Sequence, residues 1–477
     1  MKSRDCLKIK KRLPFLLGLI LFVSPSLTVF GQLSFQDERI ENAQMQGQSP
    51  FVPKGVQPWP GVGAKTLDRY QIELTDNGDF SSVQDQDGFW TAPGSNLLAQ
   101  WENSGNLDAL DWWFQLTGGY RGTPNTEDQE FNYATTAFYR GPSEPLNGSE
   151  VQALGRVSLN LGPVYLALAK APFQLGTGKH DCLHLCNNQE PFPMFSWGSA
   201  DVADTFLGKF YYVGYLGKLE KNRKIAEPWF SGWRVGLYGK SGYEIGVSRS
   251  WFAGGQGQDN SFSHVVSDLY TTFYKTKNQD AALQEFRNQQ IVLDFRLLWE
   301  RWSIYGEWGR EDHEHDRQGI YRNWDSTQAN LFGAKVRGIW NEESFFVIER
   351  ADNYQRARYP ANAPWYNHHE YQNGWTHKGV ILGHHMGTDA ADLMMSLGTA
   401  DSEFSWQVFL DAELHGVRVY AAEEREKRKQ LGFAVELPFW GGQVYAKGWR
   451  EEYENYGNEH GITRENHQFT LGYSFSR

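Results

Sequence analysis

Two neighbouring segments carry the clearest pattern in this chain. They read IVLDFRLL at residues 291–298 and, after a short joint, WSIYGEW at residues 302–308. Apolar side chains alternate with small, polar or charged ones, and this period of two is typical of a β-strand whose two faces meet different surroundings. The alternation recurs from about residue 67 to the C-terminus, for example at 112–117, 157–168, 233–240, 332–337, 431–439 and 469–475.

A soluble β-sandwich and a membrane β-barrel both produce this alternation, and two features favour the barrel. The polar face carries Gly, Ser, Arg, Lys, Asp and Glu in most strands, as a hydrated lumen requires. Aromatic residues cluster at strand ends, as interfacial girdles do: Trp112, Trp233, Trp302, Trp308, Trp340 and Trp440. We therefore predict an all-β chain that forms a transmembrane antiparallel barrel of about 18 strands.

The connections between the predicted strands differ in length, which predicts two distinct ends of the barrel. Short joints suit periplasmic turns, and long polar insertions suit extracellular loops. The insertions lie at about 175–204, 252–284, 309–329, 351–375 and 450–466. The first two are long enough to fold into the lumen.

The N-terminus reads as an export signal. Residues 1–31 have a basic start, an apolar stretch and a small-residue cleavage site, which favours a cleaved signal peptide over an uncleaved membrane anchor. Residues 32–66 are rich in Pro and have no clear period, so we expect an extended periplasmic segment there and the barrel at 67–477.

Losing six basic residues and one acidic residue with the signal changes the formal net charge from −11 to −16, which argues against nucleic acid as a partner.

Two groups of residues invite a chemical interpretation. Cys182 and Cys186 favour a disulfide that closes a loop, while a metal site with His180 and His184, or free thiols, are the alternatives. The acidic run 311–316 is either a cation site or a solvated loop, and no metal or cofactor is assigned. Histidines also crowd one region, where metal ligation is one option among several: His368, His369, His377, His384 and His385.

Charged residues on the predicted inner face fit structural ion pairing in the lumen better than catalysis. They are Arg234, Asp294, Arg296, Glu307, Lys335 and Arg337. The chain has no G-x-S-x-G elbow, no H-E-x-x-H pair and no P-loop. We therefore do not expect an enzyme.

One block resembles the Wzi capsule-assembly family. Residues 365–379 and 382–390 match its succession of W-Y-x-H, Y-x-x-G-(aromatic)-x-x-K-G and L-G-H-x-x-G-x-D. The resemblance implies an outer-membrane barrel of a Gram-negative bacterium that holds capsular or related exopolysaccharide at the cell surface, lectin-like and without catalysis. Outer-membrane lipid and the polysaccharide export machinery would be its neighbours. Known members carry a small periplasmic helical bundle, for which residues 32–66 look too short.

Aromatic rings stack on sugar rings, and polar planar groups bind sugar hydroxyls. Such residues are concentrated in the loop that leads into this block and in the start of the block. We therefore predict polysaccharide contacts at Arg356, Arg358, Tyr359, Trp365, Tyr366, Asn367, His368, Tyr371 and Trp375. The alternative is that these aromatics pack the loop into the barrel mouth. A porin or export channel is the alternative function, followed by an outer-membrane enzyme that modifies lipid or glycan.

Overall fold

The computed structural model describes residues 39, 41–42, 44–46, 67–78, 91–121, 148–239, 242–258, 288–311, 328–354, 365–368 and 371–477. The predicted signal peptide, most of the 252–284 insertion, residues 312–316 of the acidic run and His369 lie outside them. Within these ranges no helix has both the length and the apolar character needed to span a membrane.

The described chain is almost entirely β-strand. The strands are β1 (Leu67–Asn77), β2 (Gly94–Leu107), β3 (Leu110–Tyr120), β4 (Ser149–Leu161), β5 (Val164–Lys170), β6 (Met194–Ser199), β7 (Ala203–Thr205), β8 (Gly208–Lys218), β9 (Trp229–Gly239), β10 (Tyr243–Ala253), β11 (Asn288–Leu298), β12 (Trp302–Glu311), β13 (Gln328–Arg337), β14 (Ser344–Asp352), β15 (Thr376–His377), β16 (Val380–Ile381), β17 (Ala390–Ala400), β18 (Ser405–His415), β19 (Glu426–Phe439), β20 (Gly442–Glu454) and β21 (Thr463–Ser476). A short 3-10 turn covers Tyr456–Asn458.

The long strands form one closed antiparallel sheet. Each pairs with the next along the chain, and β21 returns to pair with β1, where Ile72 lies opposite Tyr473. Both β6 and β7 pair with β8, so they are two parts of one barrel strand interrupted at 200–202. Strands β15 and β16 form a separate hairpin inside a loop. The described residues thus build an 18-strand barrel, which confirms the predicted fold.

The two ends of the barrel differ as predicted. Short turns at one end join β2 to β3, β4 to β5, β9 to β10 and β19 to β20. Strand β1 begins and strand β21 ends on that same side. The connections at the other end include 121–148, 171–193, 254–287, 312–327 and 353–389. The predicted insertion at 450–466 is wrong, because β20 runs to Glu454 and β21 starts at Thr463.

The outer face is apolar and the inner face polar, as a barrel in lipid requires. Large apolar side chains remain exposed along the outside, among them Ile72, Leu168, Ile245, Phe332 and Leu471. Near the short turns exposed Trp302, Trp340 and Trp440 continue this surface as an aromatic belt. The period of two in the sequence thus arises because successive side chains of each strand face the lipid and the lumen in turn.

The inner face carries a buried ion-pair network centred on Arg234 of β9. Its guanidinium pairs with both oxygens of Asp294 of β11, with 2.8 Å between Nη2 and Oδ1, and its Nε donates to Tyr211 Oη at 3.0 Å. Gly246 of the intervening strand β10 permits this pairing, because a Cβ built there would lie 2.2 Å from Arg234 Nη2. Glu244 joins the network at 3.4 Å from both Arg234 Nη2 and Arg296 Nη2.

Part of the N-terminal segment lies inside the barrel. Residues 39, 41–42 and 44–45 have helical backbone, so this part of the segment is not extended, contrary to the sequence expectation. Arg39 Nη2 donates to Glu436 Oε1 at 2.7 Å, and the carboxylate of Glu41 pairs with Lys335 at 3.0 Å and with Lys179. The other residues of 32–66 lie outside the described ranges.

We expect Arg234→Met to destabilise the barrel, because it leaves Asp294 buried without its partner. Loss of one member of a buried pair costs about 3–5 kcal/mol. The measurement is the free energy of unfolding in a urea titration of detergent-solubilised protein. The control is Arg450→Met, whose pair with Glu465 is exposed at 51% and 59% and is worth under about 1 kcal/mol. Equal effects of the two changes would contradict this account of the lumen.

Candidate functional site

The loop at 171–193 leaves the barrel wall and fills the lumen. Almost every residue from Ala171 to Phe192 is buried, and the loop carries the disulfide between Cys182 and Cys186. Because both sulfurs are in that bond, neither is available as a metal ligand. We call this loop, together with the described part of 365–389, the plug.

Two carboxylates of the barrel wall hold the plug by its backbone. Glu307 of β12 accepts hydrogen bonds from the N–H groups of Thr177, Gly178 and Leu183 at 2.7, 2.9 and 2.8 Å. Glu349 of β14 accepts from the N–H groups of Lys179, His180 and Asp181 at 2.7, 3.2 and 3.3 Å. Buried N–H groups need acceptors, and the side chains of Glu307 and Glu349 supply carboxyl oxygens that accept from all six. These six bonds fix the position of the loop in the lumen.

The second loop of the plug packs on the first through its aromatic residues. Tyr366 Oη donates to Leu183 O at 2.6 Å, and Trp375 Nε1 donates to His184 O at 3.1 Å. Trp365 lies against Gly309 of β12, where a Cβ would approach its ring to 2.6 Å. Burial raises the pKa of Tyr366 well above 10, so its hydroxyl remains a donor.

The predicted sugar contacts therefore divide into three groups. Four of the predicted aromatic contacts are at most 2% exposed: Trp365, Tyr366, Tyr371 and Trp375. Their rings pack inside the plug and offer no face to a sugar, which corrects the prediction that these four rings stack on the polysaccharide. His368 is buried and Asn367 is half-buried. Arg356, Arg358 and Tyr359 lie outside the described residues.

The predicted lumen charges all face inward and are buried. Arg234, Asp294 and Arg296 belong to the network around β10, and Glu307 anchors the plug. Lys335 contacts Glu41, while Arg337 donates to the carbonyl groups of Glu300 and Glu342 near the short turns.

The outer surface of the plug carries exposed basic residues. The loop at 219–228 covers residues 371–379, with Arg223 donating to Thr376 O at 2.9 Å and Lys224 N donating to Asn373 Oδ1 at 2.7 Å. Lys221, Lys224 and Lys378 are exposed there. We call this surface, formed by 219–228 and 371–379, the basic face.

One ion pair attaches the basic face to the first loop of the plug, and a second joins the two segments of the basic face. Burial alone would raise the pKa of Glu190, but Lys170 and Lys378 lower it below its usual 4.5. Burial likewise opposes ionisation of Glu220, whose pKa is lowered by His377 at 2.7 Å and by Arg223. Both carboxylates are thus ionised at neutral pH and hold the loops together.

Histidines and acids meet where the plug touches β17 and β18. His180, His384 and His385 of the plug lie beside Asp392 of β17, and Asp411 and Glu413 of β18 complete the group. Burial lowers the pKa of His384 to about 3. Burial would also lower the pKa of His385, but the neighbouring carboxylates of Asp181 and Glu413 raise it well above 6.5.

Sequence reasoning identified the histidines but not their acidic partners. Asp181 and His385 are 204 residues apart in sequence, and Glu349, Asp392 and Asp411 lie on strands with no distinguishing motif. Their inward orientation follows from period-two alternation, which is the one signal that points to them.

We expect Glu307→Ala combined with Glu349→Ala to release the plug. Six backbone N–H groups lose their acceptors, and each unpaired buried donor costs about 1–3 kcal/mol. Single-channel conductance in planar bilayers should be small for the wild type and should rise markedly for the double variant. The control is Glu452→Ala combined with Glu465→Ala on the outer face of β20 and β21. An unchanged conductance of the first variant would show that these carboxylates do not hold the plug.

Comparisons with known proteins bear on both the barrel and its plug. Structurally the chain is similar to Wzi of Escherichia coli, described as an outer-membrane protein involved in group 1 capsule assembly and a carbohydrate-binding β-barrel, with TM-score 0.66, 15% identity, and coverage of 94% of this chain and 99% of that one. A BenF-like porin of Pseudomonas fluorescens Pf-5 matches with TM-score 0.47 and 8% identity over 86% of this chain and 99% of the porin. OccAB4 of Acinetobacter baumannii matches with TM-score 0.45 and 8% identity over 88% of this chain and 99% of that one.

No curated protein sequence matches the chain. The model of one protein family, described as capsule assembly protein Wzi, matches residues 82–468. This match spans most of the barrel and both loops of the plug. The chain therefore belongs to the Wzi capsule assembly family.

Proposed function

We propose that this protein sits in the outer membrane of a Gram-negative bacterium and anchors capsular or exopolysaccharide at the cell surface, as a lectin-like protein without catalytic activity. The observation that carries the proposal is the plug: within the described residues, two buried loops occupy the lumen, which suits a barrel that presents an outer surface to a polymer better than one that passes solutes. Membership of the Wzi family supports the same function.

The contents of the lumen argue against the porin alternative. The two loops of the plug are joined at Asp181, whose Oδ2 accepts from His385 N at 2.7 Å. From the opposite end the N-terminal segment reaches the plug through the contact of Glu41 with Lys179. A solute would have to displace contacts made from both ends of the barrel.

The basic face is the proposed binding surface. Exposed lysines attract acidic sugars, and arginine guanidinium groups bind carboxylates through two hydrogen bonds. Lys221, Lys224 and Lys378 belong to this surface. The predicted contacts Arg356, Arg358 and Tyr359 precede Lys378 in the sequence between β14 and β17 and lie outside the described residues. The net charge of the mature chain is strongly negative, so a local basic surface would provide selective attraction for an acidic polymer.

Two further partners belong to the proposal. The apolar outer belt would contact outer-membrane lipid. The short turns and the N-terminal segment would face the periplasm, where the export machinery delivers the polymer. Neither contact involves the basic face.

Deleting the gene tests the function. We expect the total polysaccharide to stay constant while polymer moves from the cell pellet to the medium, because attachment is lost and synthesis is not. A parallel fall of surface and released polymer would instead indicate a role in export or synthesis. No change in either pool would overturn the attachment function and favour the porin alternative.

Neutralising the basic face tests the binding surface. We expect Lys221→Gln combined with Lys224→Gln, and separately Arg356→Gln combined with Arg358→Gln, to shift polymer to the medium when each variant replaces the wild type. The matched control is Lys427→Gln combined with Lys429→Gln on β19, which removes two lysines away from this surface. If both test variants retained polymer as the control does, binding would lie elsewhere on the barrel.

A further inference from the structure

Side-chain atoms of the plug and the barrel wall converge on one point in the lumen. Asp392 Oδ2 lies 3.6 Å from His180 Nε2 and 3.7 Å from His385 Nε2. The three ligand atoms lie within 4.8 Å of one another. Asp411 Oδ2 is 3.7 Å from His180 Nε2, and Glu413 Oε1 is 3.5 Å from His385 Nε2. These separations are too long for hydrogen bonds.

The same separations fit a shared metal ion. Zinc binds imidazole nitrogen and carboxylate oxygen at about 2.0–2.2 Å in a tetrahedral arrangement, so neighbouring ligand atoms lie roughly 3.3–3.6 Å apart. Asp392 with its two histidines therefore has nearly the spacing of three ligands around one ion.

The orientation of His385 supports this reading. Its Nδ1 lies 2.8 Å from Asp181 Oδ2, and because a carboxylate accepts, Nδ1 carries the donating proton. Nε2 faces Asp392, and a metal ion bound at Nε2 would displace the proton there. Metal-binding histidines characteristically donate their other ring N–H to a carboxylate or carbonyl group in this way. Asp181 is itself held by Asn188 Nδ2 at 2.8 Å.

Several buried polar atoms at this point have no hydrogen-bond partner. They are His385 Nε2, Asp392 Oδ1 and both carboxylate oxygens of Asp411. The side chains of these residues are at most 8% exposed. Buried carboxylates need a cation or donors, and Arg428, which contacts Asp411 and Glu413, is shared with Glu451. A divalent cation at this point would give these oxygen and nitrogen atoms a common partner.

We propose that His180, His385 and Asp392 bind a divalent transition-metal ion of the zinc class, with Asp411 or Glu413 as the fourth ligand. Two imidazoles and carboxylate oxygens suit zinc better than calcium or magnesium, which prefer oxygen ligands alone. His384 is not a ligand: its Nδ1 accepts from Met386 N at 3.3 Å, so its Nε2 carries the proton.

The ion would join parts of the protein that the chain keeps far apart. His180 comes from the first loop of the plug, His385 from the second, and Asp392 from β17. His385 is the most exposed of the three, with 8% of its side chain accessible. The site is independent of the basic face and of the polysaccharide function.

The test is metal analysis of the full-length protein purified in detergent without a polyhistidine tag. After chelator treatment and dialysis, we expect one Zn²⁺ per chain on re-addition, measured by elemental mass spectrometry. Co²⁺ should give the intense visible absorption of a tetrahedral site.

His385→Gln and Asp392→Asn should abolish stoichiometric binding. Asp181→Asn should weaken binding about 10–100-fold through the orientation of His385. His460→Gln, an exposed histidine outside the cluster, should bind as the wild type does.

Folding of every variant is checked by the faster migration of an unheated barrel on a denaturing gel. If His385→Gln does not fold, Asp392→Asn and His180→Gln carry the test. Wild-type protein that binds no Zn²⁺ at micromolar concentration would overturn the proposal. Folded His385→Gln and Asp392→Asn proteins that keep one tightly bound ion would also overturn it.

Discussion

The pairing of β1 with β21 is the constraint on which the rest of this structure depends. A sheet in lipid cannot leave a row of backbone N–H and C=O groups without partners, so it must close on itself. Closure divides every strand into a lipid face and a lumen face. Apolar residues such as Ile72 and Leu471 are then confined to the outside, and charges such as Arg234 and Asp294 are confined to an interior where each needs a partner.

The plug is a consequence of the width of that interior. A barrel of this width cannot be filled by wall side chains alone, and the loops that enter it bring backbone N–H groups that must be satisfied. Glu307 and Glu349 accept six of them, which explains why carboxylates point inward at these positions. The aromatic residues of the second loop pack on the barrel wall as well as on the first loop, with Phe252 of β10 and Phe230 of β9 against Trp375. The wall thus holds the plug both by accepting hydrogen bonds and by aromatic packing.

Alternation along each strand predicted the strands and the inward orientation of residues such as Arg296 and Lys335. The polar face and the strand-end aromatics predicted the barrel, and the lengths of the connections predicted its sidedness. It carries this information because lipid and lumen impose opposite chemistry on successive residues. The same rule does not apply to loops. Trp365 and Trp375 look alike in sequence whether they face a sugar or a packed plug, because their environment depends on a loop nearly two hundred residues earlier. The pairing of Asp181 with His385 is equally invisible to local patterns, since only the folded plug brings them together.

The buried position of Cys182 and Cys186 has a consequence for the order in which the protein is assembled. Both residues are fully shielded from solvent once the plug is seated, and thiol oxidation requires contact with an oxidant or an oxidising enzyme. The bond must therefore form while the segment around Gly178 is still accessible, before it docks on Glu307 and Glu349. Periplasmic oxidation would then precede docking, and a chain delivered to the membrane with reduced thiols would seal them inside its own lumen.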